Sequence, residues 1–365
     1  MLRTDACGQP ATGPAAPGRL GRMKAVRFHQ HGGPEVLRCE EVPTPEPGRG
    51  EVLVALRAAA LNHLDLFVRA GIPGVRLPHV GGADGAGVVV AQGEGATRFP
   101  PGTRVFFDPG LSDGTCRFCA RGEHSLCERF EILGEHRDGT FAQAVVVPEL
   151  NCRPIPQRLG FIQAAAFPLV FLTAWRMLVT RARVQPGETV LILGIGGAVS
   201  LAALQIARLL AARTFVTSSS DAKLERARAM GAEVLINHAR QDFSREAWSL
   251  TEKRGVDVVV ENVGAATWAG SVRALARGGR LVTCGATSGP KPEEDIRRIF
   301  SKQITIYGSS MGTRGDWEQV TALLEQGRLE PVVDRTYPLE EAAAAQERMA
   351  RGEQFGKIVL EVPPL

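Results

Sequence analysis

Asp113, Cys116, Cys119 and Cys127 have the types and spacing of a metal site. Cys-x2-Cys lets two thiolates share one tetrahedral zinc, a third thiolate follows at Cys127, and carboxylate oxygen is a known zinc ligand. His124 is an alternative fourth ligand, and three free thiols in a loop are the plain alternative to any site at all. Four protein ligands would close the coordination sphere, so the expected ion is a structural Zn2+ that does not meet substrate. A second constellation is the turn Gly194-Ile-Gly196-Gly197-Ala198-Val199, which follows the apolar run 189–193. Glycines at a strand end let backbone N–H groups approach a pyrophosphate, with the positive end of the next helix behind them. Val199 stands where the third glycine of G-x-G-x-x-G would be, so the loop alone also reads as a tight strand–helix turn.

The next strand end speaks to the cofactor. Folds that bind NAD place an acid there for the ribose 2′-hydroxyl. This chain has Thr217, Ser218, Ser219 and Ser220, followed by Lys223 and Arg226. Hydroxyls and a cation suit a 2′-phosphate, so the expected cofactor is NADP(H). A serine-rich helix cap accounts for the same letters and is compatible with that role.

These residues need elements to hold them. From 24 to about 150, short apolar runs (52–56, 87–90, 104–107, 144–147) alternate with Gly and Pro, the pattern of a small irregular β-barrel. From about 165, apolar runs at 189–193, 213–217, 233–236, 256–260, 280–284 and 303–307 alternate with helical stretches, including 200–211, 221–230, 243–254 and 265–276. Continuous apolar strands with helices between them predict an α/β domain with a doubly wound parallel sheet. A last strand is expected at 357–362, and residues 1–22 read as a disordered extension.

The bulk properties exclude several classes. The chain has 365 residues, enough for two domains, and 44% hydrophobic residues, enough for a core. A net charge of +4 is too slight for a nucleic-acid partner, and no apolar run is long enough to span a bilayer. Seven cysteines, an odd number, fit a disulfide framework poorly, and the expected compartment is the cytoplasm.

Several spaced segments together resemble the medium-chain dehydrogenase/reductase superfamily, and more closely its quinone-oxidoreductase-like and zinc-binding-dehydrogenase branches. They are Gly50-Glu-Val-Leu-Val, Ala60-Leu-Asn-His-Leu-Asp65, Gly82-Ala-Asp-Gly-Ala-Gly87, the cysteine lobe, Leu172-Thr-Ala-Trp175, the glycine loop, Gly285-Ala-Thr-Ser and Phe355-Gly-Lys-Ile-Val359. The resemblance implies a chaperonin-10-like (GroES-like) β-barrel catalytic domain, 23–160 and 309–365, split around a Rossmann NADP-binding domain, 161–308. It further implies a small-molecule substrate and a homodimer through the last Rossmann strand. It puts Thr173 beside the nicotinamide with Gly285 and Ala286 opposite, Asn262 and Gly264 near the adenosine ribose, and Lys357 toward the phosphates. His238 takes the place of a tyrosine that often touches the 2′-phosphate.

The departures from the family pattern carry the chemistry. Zinc alcohol dehydrogenases of this kind ligate a catalytic zinc through Cys-His-x-Asp, Gly-His-Glu and a later Cys; this chain has Asn62, Ala83 and Leu169 at those places, and Leu64 for the proton-relaying hydroxyl. Without a Lewis acid, the favoured acceptors are a quinone or an α,β-unsaturated carbonyl, whose negative charge delocalises. The candidate catalytic residues are Asn62, to orient the carbonyl, His63, which the resemblance also implies as a phosphate contact, and Asp65, which alternatively holds a loop. A zinc-dependent alcohol or aldehyde dehydrogenase and a non-catalytic NADPH-binding sensor are the competing expectations.

Overall fold

The computed structural model describes residues 21–365. The expected extension 1–22 lies outside the described residues except for its last two, and Arg22 already opens the strand Arg22–Phe28.

The four short apolar runs are strands of one seven-stranded sheet: Glu51–Ala60, Asp84–Gln92, Arg104–Phe107 and Ala144–Pro148. The first two outrun their apolar centres because small residues continue them. Ala58, Ala60 and Ala86 are fully buried in one cluster with Ala164, Ala165 and Ala166 at the end of the helix Phe161–Ala165, where larger side chains would hold the helix away. The C-terminal strands Val333–Pro338 and Lys357–Glu361 pair in parallel, and the latter joins this sheet through Val359 opposite Ala60. Residue 357 is thereby brought beside residue 62.

The intervening segment forms a six-stranded parallel sheet. Its spatial order is Val234–Asn237, Arg213–Ser218, Thr189–Ile192, Val256–Glu261, Leu275–Thr283 and Thr305–Gly308. That is the 3-2-1-4-5-6 order of a doubly wound Rossmann sheet, and its central strands Thr189–Ile192 and Val256–Glu261 are buried almost throughout and correspondingly apolar.

Two boundaries differ from expectation. The helix expected at 265–276 is only Trp268–Ala274, and the following strand begins at Leu275. Leu275 pairs with Val256 before the register shifts and Gly278, at φ +72°, turns the chain, so the strand absorbs the glycine pair. Pro168–Trp175 is a helix that apolar rhythm does not announce: all its residues but Leu169 are buried, leaving no polar face to mark a period. It continues as a π-helical turn, Arg176–Arg181, and Leu169 is left to face the cleft between the two sheets. Among the described residues no helix is long and apolar enough to cross a membrane.

Candidate active site and candidate metal lobe

A cavity of about 730 Å³ lies between the two units. One end is built by the glycine loop. Gly194 (φ +61°) and Gly196 (φ +118°) hold conformations that L side chains rarely adopt. The Gly194 and Ile195 amides are tied down to Thr217, by its side-chain oxygen at 3.1 Å and its carbonyl at 2.7 Å. The helix Ala198–Leu209 starts at Gly197 with no side-chain cap, so its first amides are left to a ligand. Val199, in the third-glycine position, lies in the cavity wall.

Ser218, Ser219, Lys223 and His238 line the same end of the cleft. The Ser218 hydroxyl accepts from the Ser220 amide at 3.1 Å, and Ser220 caps the helix Asp221–Ala229, so the capping role is real. Lys223 reaches across the cleft and donates to the Gly352 carbonyl at 2.6 Å. Burial lowers the pKa of both Lys223 and His238. Asp221, which opens the capped helix, is engaged by Asn237 and Arg240. The donors and the uncapped helix end fit a nicotinamide dinucleotide.

Thr173, Asn262 and Gly285 also line the cavity. Three of the expected cofactor residues do not. Gly264 and Ala286 pack on each other behind it, so close that a Cβ on Gly264 would meet the Ala286 Cα at 2.9 Å. Gly196 is covered by Lys223, whose Cδ would be 2.9 Å from an added Cβ. Cys284 is in the wall, and burial pushes its thiol pKa up to about 12.

At the other end the expected picture changes most. Lys357 does not reach toward the glycine loop. Its ammonium lies 2.8 Å from Asn62 Oδ1 and 2.8 Å from Asp84 Oδ2, and both Lys357 and Asp84 are buried. Asn62 Nδ2 donates to Asp84 Oδ2 at 3.0 Å and weakly to the Ala60 carbonyl at 3.4 Å. The other Asp84 oxygen accepts from the Leu169 amide at 2.9 Å. Asn62, expected to orient a substrate carbonyl, thus has its amide committed to the protein. The structure joins Asn62, Leu169 and the neighbour of Ala83 in one corner, but the corner holds an ammonium-bridged carboxylate. The corner offers an amide, two aliphatic side chains that carry no ligand atom, and a carboxylate already bridged by an ammonium, a set that does not fit a catalytic zinc.

Asp65 does not line the cavity. Its carboxylate accepts from the Asn62 amide at 2.7 Å and the Gly82 amide at 3.1 Å, which closes the cap of helix His63–Ala70 and pins the 82–84 segment. Burial pushes its pKa up to about 7, against the two backbone donors and Lys357. These contacts fit the loop-holding alternative read for Asp65 and turn its carboxylate away from the catalytic role also expected for it. His63 does line the cavity, and burial followed by the Lys357 charge lowers its pKa, so it faces the cavity as neutral imidazole.

The apolar rhythm missed the wall formed by Phe130, Ile132, Glu135 and His136, just after the cysteine lobe, and by Ser310 and Met311, just after the last Rossmann strand. The one available signal was the glycine pair Gly134 and Gly139, which lets the 134–139 turn press against Gly82.

In the lobe, ligand atoms of Asp113, Cys116, Cys119 and Cys127 all lie within 4.8 Å of one another. That clustering suits four ligands of one tetrahedral ion. The Cys116 and Thr115 amides donate to Asp113 and hold its carboxyl well below the usual carboxylate range. His124 is not in the cluster; its Nδ1 accepts from the Arg314 amide at 3.4 Å. These residues fit a closed structural zinc site.

Fold, cleft and glycine loop together define a two-domain nicotinamide-dependent oxidoreductase. Residues 48–157 match the alcohol dehydrogenase GroES-like domain and residues 198–326 the zinc-binding dehydrogenase domain. The chain is 34% identical over 343 residues to an acryloyl-coenzyme A reductase of Metallosphaera sedula (strain ATCC 51363 / DSM 5348 / JCM 9185 / NBRC 15509 / TH2), covering 93% of this chain and 99% of that protein. The solved structure of an NAD-dependent alcohol dehydrogenase is 46% identical with a TM-score of 0.90, covering 93% of this chain and 100% of that one. The crotonyl-CoA carboxylase/reductase AntE in complex with NADP is 27% identical with a TM-score of 0.88, covering 95% of this chain and 97% of its own. The chain belongs to the medium-chain dehydrogenase/reductase superfamily.

Proposed function

We propose that this chain is an NADPH-dependent reductase of α,β-unsaturated carbonyls or quinones that works without a metal ion at the substrate. The carrying observation is the Lys357–Asp84–Asn62 cluster, which fills the corner where zinc-dependent relatives hold their metal. Bound in the cleft, a reduced nicotinamide supplies a hydride.

The chain's own residues do the rest. The uncapped amides of the helix Ala198–Leu209 hold pyrophosphate, while Ser218, Ser219, Lys223 and His238 surround the 2′-phosphate. Thr173 and Gly285 bracket the nicotinamide end, and Phe130, Ile132, Leu64 and Leu169 form an apolar wall that keeps water from the acceptor. Neutral His63 and the Thr173 hydroxyl line the cavity as donors to a substrate oxygen, where delocalised charge needs only hydrogen bonds. We assign Asp113, Cys116, Cys119 and Cys127 to a structural zinc. The edge strand Thr305–Gly308, with Ile296 69% and Phe300 67% exposed on the adjacent helix, is proposed as a homodimer contact, checked by light scattering.

The 46% identical neighbour is an NAD-dependent alcohol dehydrogenase by its own description, which favours simple alcohol oxidation with NAD as the second reading. Steady-state rates on an enone, a quinone and a primary alcohol, each with both nucleotides, separate the two. Turnover of enone or quinone with an NADPH preference supports the proposal. Alcohol oxidation that requires added zinc and prefers NAD overturns it.

A further inference from the structure

Reducing an activated alkene needs a proton as well as a hydride, and the residues so far assigned do not supply one. His63 is held neutral, the Cys284 thiol is pushed up to about 12, and Asp65 is turned into the backbone. Glu135 is different. It lines the cavity, its side chain is 19% exposed, and among the described residues no donor hydrogen-bonds its carboxyl; the His136 Nδ1 lies 3.9 Å away. A half-buried carboxyl without a hydrogen-bond partner is desolvated, which favours its neutral, proton-carrying form.

The turn that carries it is rigid. Gly134 donates to the Arg137 carbonyl at 2.9 Å, and the Gly134 carbonyl lies 3.0 Å from the His79 ring. The Gly139 amide donates to Val80 at 2.8 Å and the Val80 amide to Asp138 at 2.9 Å. The turn is therefore fastened to the same 79–84 segment that ends at Asp84 and the Asn62 corner. His136 Nδ1 accepts from the Ile132 amide at 3.1 Å, which fixes the ring at the more open rim of the cavity. Burial raises the Glu135 pKa, so a larger fraction stays protonated than for an exposed glutamate.

We infer that Glu135 is the proton donor to the α-carbon when an α,β-unsaturated carbonyl is reduced, a step that rests on the reductase reading above. Hydride accepted at the β-carbon moves the alkene electrons into an enolate. The Glu135 O–H bond then breaks, its proton forms the new Cα–H bond, and both O–H electrons stay on the carboxylate. Water at the His136 rim returns the proton. Carbon protonation is slow and face-selective, whereas a reduced quinone takes its protons on oxygen and needs no such donor.

The test compares Glu135→Gln with the wild-type chain on an α-methyl enone and on a benzoquinone, using NADPH in D2O. A general acid contributes roughly 10²–10⁴-fold, so enone turnover should fall at least ~100-fold. The α-deuterium of the residual product should be scrambled between the two faces. Quinone turnover should fall far less than enone turnover, and NADPH affinity, measured by fluorescence, should stay within about twofold. Equal loss on both substrates, or unchanged rate and facial selectivity on the enone, overturns the assignment of Glu135. A wild-type chain inactive on both substrates overturns the reductase reading itself.

Discussion

Replacing Lys357 by methionine leaves Asp84 as a fully buried carboxylate with only amide donors. Breaking a buried ion pair from one side costs about 3–5 kcal/mol, and removing both charges recovers much of it. Lys357→Met should therefore lose about that much in urea unfolding, and Lys357→Met with Asp84→Asn should lose clearly less. Asp65 sets a pH dependence. Its folded pKa of about 7 lies above the unfolded value of roughly 3.9. A raised pKa means that its stabilising contribution is full below about pH 4 and is lost as pH rises through about 7. Asp65→Asn should accordingly flatten the fall in stability between those limits, measured by thermal unfolding across pH. At this scale the sequence showed which ligands are missing at Asn62, Ala83 and Leu169. It could not show that Lys357, 295 residues from Asn62, would fill the space between them, because that contact depends on the register of the last strand.

At the scale of elements, the turn at 134–139 decides how the substrate end is shaped. Gly134 has φ +75°, and a Cβ there would sit 2.4 Å from the Gly82 carbonyl oxygen. Gly134→Ala should cost more than about 1 kcal/mol and displace the 134–139 turn. The expected outcome is a raised KM for the carbonyl substrate with NADPH affinity little changed, since the glycine loop belongs to the other unit. Strand and helix periods made the Rossmann strands readable, because strands buried on both faces are apolar along their whole length. They failed at Pro168–Trp175, apolar on every side, and at the 130–136 wall, where irregular backbone carries no period.

On the scale of the whole molecule, two sheets share one cleft, and each brings a distinct half of the chemistry. Lys223 to Gly352, the Arg226 guanidinium over the Phe355 ring at 3.9 Å, and Gly356 to Gly196 at 2.9 Å join the halves at the nucleotide end. The cysteine lobe is a separate device. Cys116→Ser should lower bound zinc well below one per chain by elemental analysis and reduce the melting temperature. The family was legible from spaced motifs, but the shape of the cleft was not, since it is made from segments hundreds of residues apart. The most direct test of the account is enone reduction by NADPH, followed before and after chelator treatment that leaves the lobe zinc in place. The expected result is an unchanged rate and no response to added zinc. A rate abolished by the chelator and restored by a second zinc per chain would contradict it.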